Sequence, residues 1–102
     1  MTWKLFIDDE RFPIANDWVI ARSSADAIKQ IVERGMPAEI AFDHDLGGED
    51  TVFRLLNWLT DQLIDGKLQF PSNFRYSIHS QNPVGARNIA DRMNSLIEHF
   101  GG

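Results

Sequence analysis

The sequence predicts an α/β domain: a small, open, mainly parallel four-stranded sheet with about three helices. Three observations lead there. Short apolar runs alternate with amphipathic stretches, the pattern that builds parallel sheets through helical crossovers. Three of those runs end in polar, chemistry-bearing residues: Leu5-Phe6-Ile7-Asp8-Asp9-Glu10, Ile40-Ala41-Phe42-Asp43-His44-Asp45 and Tyr76-Ser77-Ile78-His79-Ser80. Open α/β sheets place their sites at such strand ends. Finally, 102 residues leave room for one core, so a single domain is expected over residues 1–102.

Trp3 to Ile7 reads as the first buried strand and Asp8 to Asp17 as a polar loop punctuated by Pro13. Trp18 to Ala21 is the second strand, with Arg22 at its exit. The link between them is at the lower limit for a parallel crossover, and Pro13 disfavours a regular helix there. A loop or a single helical turn is expected, and the direction of the second strand stays open. Ser23 with Asp26 three residues later is a capping signature. Ala27, Ile28, Ile31 and Val32 then make a helical stripe that Arg34, Gly35 and Pro37 terminate.

Ile40 to Phe42 is the third strand, closed by Asp43-His44-Asp45 and the glycine pair Gly47-Gly48. Asp50 is expected to cap a helix carrying Phe53, Leu56, Leu59, Leu63 and Ile64 and ending at Gly66. In the fourth strand Phe74, Tyr76 and Ile78 alternate with Arg75 and Ser77, the pattern of a sheet edge wet on one face. Asn82 caps the last helix, with Pro83 at its first position. Ala86, Ile89, Ala90, Met93, Leu96, Ile97 and Phe100 follow at spacings of three and four, and Gly101 ends it. Trp3, Trp18 and Trp58 are expected in the core.

Composition narrows the chemistry. Hydrophobic residues make up 43% and charged residues 25%, which is globular usage and argues against disorder. There is no cysteine, so disulfides, thiolate metal sites and cysteine nucleophiles are excluded. Oxygen and imidazole ligands remain, and these suit magnesium, manganese or calcium. Asp and Glu exceed Lys and Arg by 15 to 10, a formal charge of −5, so no broad nucleic-acid surface is expected. No apolar run spans a bilayer and no leader pattern opens the chain. A cytoplasmic protein without membrane contact is expected.

If the sheet is parallel, three strand ends share one edge. Two acidic ends brought to about 4 Å repel by roughly 1 kcal/mol per pair in water and roughly 4 at an effective dielectric near 20. A divalent cation is the simplest remedy, magnesium or manganese, with Asp8, Asp9 and Asp43 as ligands. His44 and His79 are the candidates for proton transfer, because imidazole titrates near neutral pH; Asp45 orients one of them or binds the metal. Ser80, Asn82 and the backbone amides opening the last helix form an anion cradle. Each residue alone also has a plainer reading. Acids after a strand serve as caps or solvated loop residues, a single histidine is more often structural, and Arg11 and Arg22 read as solvated.

The acidic pair after the first strand and the aspartate after the third resemble the receiver domains of two-component signalling. That resemblance implies Asp8 and Asp9 as a metal pair, Asp43 as a phosphoacceptor, and Ser80 or His79 in the place of the switch hydroxyl. A receiver's fifth strand and its lysine have no counterpart here, and no first helix fits between Asp8 and Trp18. The chain more fully resembles the cyclic-phosphate-processing receiver-like domains, a compact offshoot of that superfamily. The resembling segments are Leu5-Phe6-Ile7-Asp8-Asp9-Glu10-Arg11 with Pro13, Phe42-Asp43-His44-Asp45-Leu46-Gly47 with Asp50-Thr51, and His79-Ser80-Gln81-Asn82-Pro83-Val84-Gly85 with Asn88-Ile89. The likeness implies a receiver- or flavodoxin-like fold lacking the fifth strand. It also implies a metal-dependent phosphoesterase acting on a cyclic phosphate, at an RNA end or in a small phosphorylated ligand, with roles in RNA repair or phage and bacterial conflict. A non-enzymatic signalling module, or a module that binds a nucleotide or protein, is the alternative. The Asp43-x-Asp45 spacing also occurs in haloacid-dehalogenase phosphatases, but there it follows the first strand of a much longer chain.

Overall fold

The protein is described by a computed structural model over residues 2–101. Its elements are β1 (Lys4–Ile7), β2 (Val19–Ala21), α1 (Ser24–Arg34), β3 (Glu39–Phe42), α2 (Phe53–Ile64), β4 (Arg75–Ile78) and α3 (Pro83–Phe100). The sheet order is β2-β1-β3-β4, and every neighbouring pair is parallel. This settles the direction of β2. The link from β1 to β2 contains no helical turn, so the strands are joined by loop alone.

Side-chain alternation divides the sheet into two unlike faces. Leu5, Ile7, Ala21, Ile40 and Phe42 are fully buried, and they form one cluster with Ala27 and Ile31 of α1, four leucines of α2, and Ile89, Met93 and Leu96 of α3. The helices pack in the order α1, α2, α3. The residues of opposite parity, among them Lys4, Phe6, Ala41 and Ser77, belong to the other face and lie outside that cluster. β4 is an edge strand with Arg75 and Ser77 exposed, as its alternation requires.

Ser23 accepts from the amide of Asp26 and Asn82 from the amide of Gly85, so both helix caps read from sequence are present. Three expectations need correction. Asp50 does not cap α2, whose N-cap is Val52 without a side-chain bond. Its carboxylate instead accepts from the amide and hydroxyl of Ser24, where the orphan donors of α1 favour negative charge. Gly47 and Gly48, both at positive φ, turn the chain back so that Asp50 reaches that helix. Val32 and Ile64 are mostly exposed; the buried stripes of their helices run through Ala27 and Ile31, and through Leu55, Leu56, Leu59 and Leu63. The three tryptophans lie at the margin, half-buried, and the Trp3 indole N–H donates to the carbonyl of Gly35.

Candidate functional site

Strand register assembles the site. Phe6 pairs with Ala41, and Ala41 with Ser77. Because side chains alternate, two residues onward Asp8, Asp43 and His79 emerge as one row on the same face. The ladder carries on past β4, where the amide of His79 donates to the carbonyl of Phe42 at 2.9 Å. Asp8 is fully buried, Asp43 is nearly so, and His79 is half-buried. One ligand atom from each lies within 4.8 Å of the others. Asp8, Asp43 and His79 could therefore hold a metal ion.

A cation already stands between the acids, and it belongs to the protein. Arg11 donates from Nε to Asp8 Oδ2 at 2.7 Å, and its Nη2 lies 3.5 Å from Asp43 Oδ2. The same Nη2 donates to the carbonyl of His79 at 3.2 Å. Asp8 Oδ1 accepts from the amides of Glu10 and Arg11, an Asx turn that folds the loop back over the strand end. Arg22, two residues along its strand from the partner of Phe6, donates to the carbonyls of Asp8 and Arg11. Burial alone would raise the Asp8 carboxyl. The amides of Arg11 and Glu10, then the charge and hydrogen bond of Arg11, outweigh it and hold the group below the usual carboxylate range.

The two histidines have different settings. His79 Nε2 lies 3.1 Å from Asp8 Oδ2, and its ring stacks on Phe6 at 4.7 Å between centroids. A neutral ring that donates Nε2–H to the Asp8 carboxylate keeps Nδ1 as an acceptor. His44 is tethered elsewhere. Its Nδ1 lies 3.0 Å from Asp45 Oδ1, its ring is packed under Gly85 at the start of α3, and it lines a groove with Phe53, Asn88 and Arg92. The backbone amide of His44, rather than its ring, reaches the row by donating to Asp43 Oδ1 at 2.8 Å.

The remaining expected residues rim an open polar cavity of about 440 Å³ that Asp9, Glu10, Arg11, Asp43, Asp45, Ser80, Gln81 and Asn82 line. Asp9 is exposed and is not one of the three converging ligands; its carboxylate faces the Gly47 turn. Asp45 accepts from Asn82, and the hydrogen bond from His44, then that from Asn82, holds its carboxyl below the usual range. Ser80 Oγ accepts the amide of Asn82, leaving its O–H to donate. Pro83 has no N–H, and the amides of Gly85 and Ala86 are satisfied by Asn82. The Gly85 and Ala86 amides are therefore committed to Asn82, and the Ser80 hydroxyl and Arg11 remain as donors at the cavity rim.

Arg11 and Arg22 were invisible as site residues to a residue-by-residue reading. The available signal was spacing: Arg11 stands three residues after an aspartate in a short loop, and it is part of the Asp8-Asp9-Glu10-Arg11 motif that carries the resemblance. Parallel strands and three helices, with an acid-histidine row at the carboxyl edge, define a receiver-like α/β domain. The family model for the cyclic-phosphate processing receiver domain matches residues 3–95, and the chain belongs to that family. No curated protein and no solved structure matches it.

Proposed function

We propose that the protein is a metal-dependent phosphoesterase that opens a cyclic phosphate on a nucleotide or an RNA end. The observation that carries this reading is the convergence of Asp8, Asp43 and His79 within 4.8 Å beside a polar cavity rimmed by Arg11 and Ser80. Two carboxylates suit a hard divalent ion, magnesium or manganese. Asp8 and Asp43 would hold it, with Asp9 outside the set and His79 beside them left unligated for proton transfer; bound there, it would polarise a phosphoryl oxygen and acidify water.

The chain's own groups supply the rest. Arg11 and the Ser80 hydroxyl bind the phosphate oxygens. Ring opening bonds the water oxygen to phosphorus and breaks one ring P–O bond. The water's proton reaches the released hydroxyl by way of His79 Nδ1, while Asp8 keeps the ring oriented through Nε2. His44 acts at one remove, setting Asp45 and through it Asn82. Such substrates arise where RNA is cut, which favours a role in RNA repair or in phage and bacterial conflict.

The test is phosphorus NMR of 2′,3′-cyclic phosphates and cyclic nucleotides incubated with the protein and manganese or magnesium. Conversion to a phosphomonoester is expected, with His79→Ala lowering the rate by about 10²–10⁴, the usual worth of a proton-transfer group. Tight binding without conversion would select a second reading, a binding module. That alternative is favoured by one observation: Arg11 already compensates both carboxylates without any ion.

A further inference from the structure

We propose that the loop between β1 and β2 carries a binding pocket for a flat heterocyclic ring, and that the substrate is therefore a nucleoside cyclic phosphate rather than a bare sugar cyclic phosphate. The inference rests on the phosphoesterase reading for the phosphate half of the ligand and on separate residues for the ring half.

All helices pack on one face of the sheet, and on the other a cavity of about 450 Å³ lies under the loop. Phe6, Phe12, Ile14 and Trp18 form its apolar walls, and Arg11 and His79 form its polar margin. Those last two residues also belong to the acid-histidine row. The apolar cavity and the phosphate site therefore share a wall, as the two halves of one ligand require. The volume falls in the range of small-molecule sites, which are mostly apolar with a few convergent polar groups.

Phe12 is the aromatic ring placed for stacking, and Phe6 and Trp18 support the wall behind it. Arg22 lies over the Phe12 ring at 4.6 Å, positioning a ring that is still 74% exposed. Phe6 is packed edge-on to Trp18, and Lys4 covers Trp18 at 4.6 Å. Ile14 is fully exposed. Large apolar side chains held in water beside a site call for an occupant. A second copy of the chain fits less well. A stable interface needs roughly 800 Å² from each partner, whereas the far end of this sheet face is charged with Lys4, Glu39 and Arg75. The apolar area is local and concave.

Saturation-transfer NMR tests the inference, because it reports which ligand protons touch the protein whether or not the phosphate is turned over. The probes are the four nucleoside 2′,3′-cyclic phosphates, the free nucleosides and methyl riboside 2,3-cyclic phosphate, which lacks the ring. Base protons are expected to receive the strongest saturation. Phe12→Ala should weaken binding roughly 5- to 150-fold, the worth of one base–aromatic stack, and Phe12→Tyr should restore it. The base-free probe should bind equally to all three proteins. Saturation confined to the ribose, or affinities indifferent to Phe12→Ala, would overturn the ring pocket and leave the cyclic-phosphate reading standing. Free nucleosides bound through Phe12, with no cyclic phosphate preferred over them, would uphold the pocket and count against the phosphate reading. A dimer in sedimentation that Phe12→Ala dissolves would also overturn the proposal, since the cavity would then belong to a second copy.

Discussion

Arg11 changes the electrostatic premise of the site. Repulsion between Asp8 and Asp43 calls for a positive charge, and Arg11 provides one at 2.7 Å from Asp8 and 3.5 Å from Asp43. A guanidinium and a divalent ion cannot both occupy Asp8 Oδ2. At about 4 Å two unit charges cost roughly 1–4 kcal/mol between water and a dielectric near 20, and a doubly charged ion doubles that. Loading the ion therefore requires Arg11 to swing away, which would free its guanidinium for phosphate oxygens, a geometry it matches in bidentate fashion. Arg11→Ala is expected to tighten manganese binding about ten-fold or more in calorimetric titration. The same variant should lose on the order of 1–3 kcal/mol of stability, because a buried acceptor loses its charged donor. Weaker manganese binding in the variant would show that Arg11 orders the ligands instead of competing with the ion. The sequence could not reveal this pairing on its own. Arginine in a polar loop is solvated by default, and only the Asx turn on Asp8, a consequence of the folded strand end, brings it back.

Elements whose signals are local were readable, and those set by partners distant in sequence were not. The Asn82 cap, the proline after it and the three-four stripe of α3 all agree with the helix found at Pro83–Phe100. The wet alternation of Arg75 and Ser77 gave β4 its edge position. Asp50 shows the opposite case: a capping rule assigns it to the helix that follows, while a glycine turn delivers it to Ser24, 26 positions upstream. The direction of β2 was open because ten loop residues permit either course, and pairing with β1 decides it. His44 was expected beside His79, but its ring is packed beneath the first turn of α3. Gly85 is what permits that packing, since a Cβ there would lie 2.5 Å from His44 Cγ. Gly85→Ala therefore pits a helix-propensity gain of about 1 kcal/mol against overpacking of about 1–3 kcal/mol. A net loss in denaturant unfolding is expected, with a displaced His44 resonance in NMR. A net gain would mean that α3 can shift at no cost and that His44 is loosely held.

The molecule buries its core on one side of the sheet and concentrates its buried charge in a single row on the other. Asp8 anchors that row, so global stability should depend on its ionisation. In the unfolded chain Asp8 titrates near the ordinary aspartate value of about 3.9; in the folded protein the value is lower. A depressed carboxyl contributes stability that is fully present above the unfolded value and is lost as pH falls towards the folded one. Asp17 and Asp45 are also shifted downward, but their pairs face solvent, where screening leaves little net effect. The acid limb of the stability curve should therefore belong chiefly to Asp8. Denaturant unfolding measured from pH 7 downward is expected to show Asp8→Asn less stable than the parent at neutral pH. The two curves should begin to converge as pH falls below about 4, the unfolded value. They should meet below the lower folded value, where the parent carboxyl takes up its proton and, like the amide, carries no charge towards Arg11. A gap that stays constant across the whole range would assign the contribution of Asp8 to packing and to its amide hydrogen bonds. The row would then be held together by shape, and the Arg11 charge would be free to leave for a phosphate at no cost to the fold.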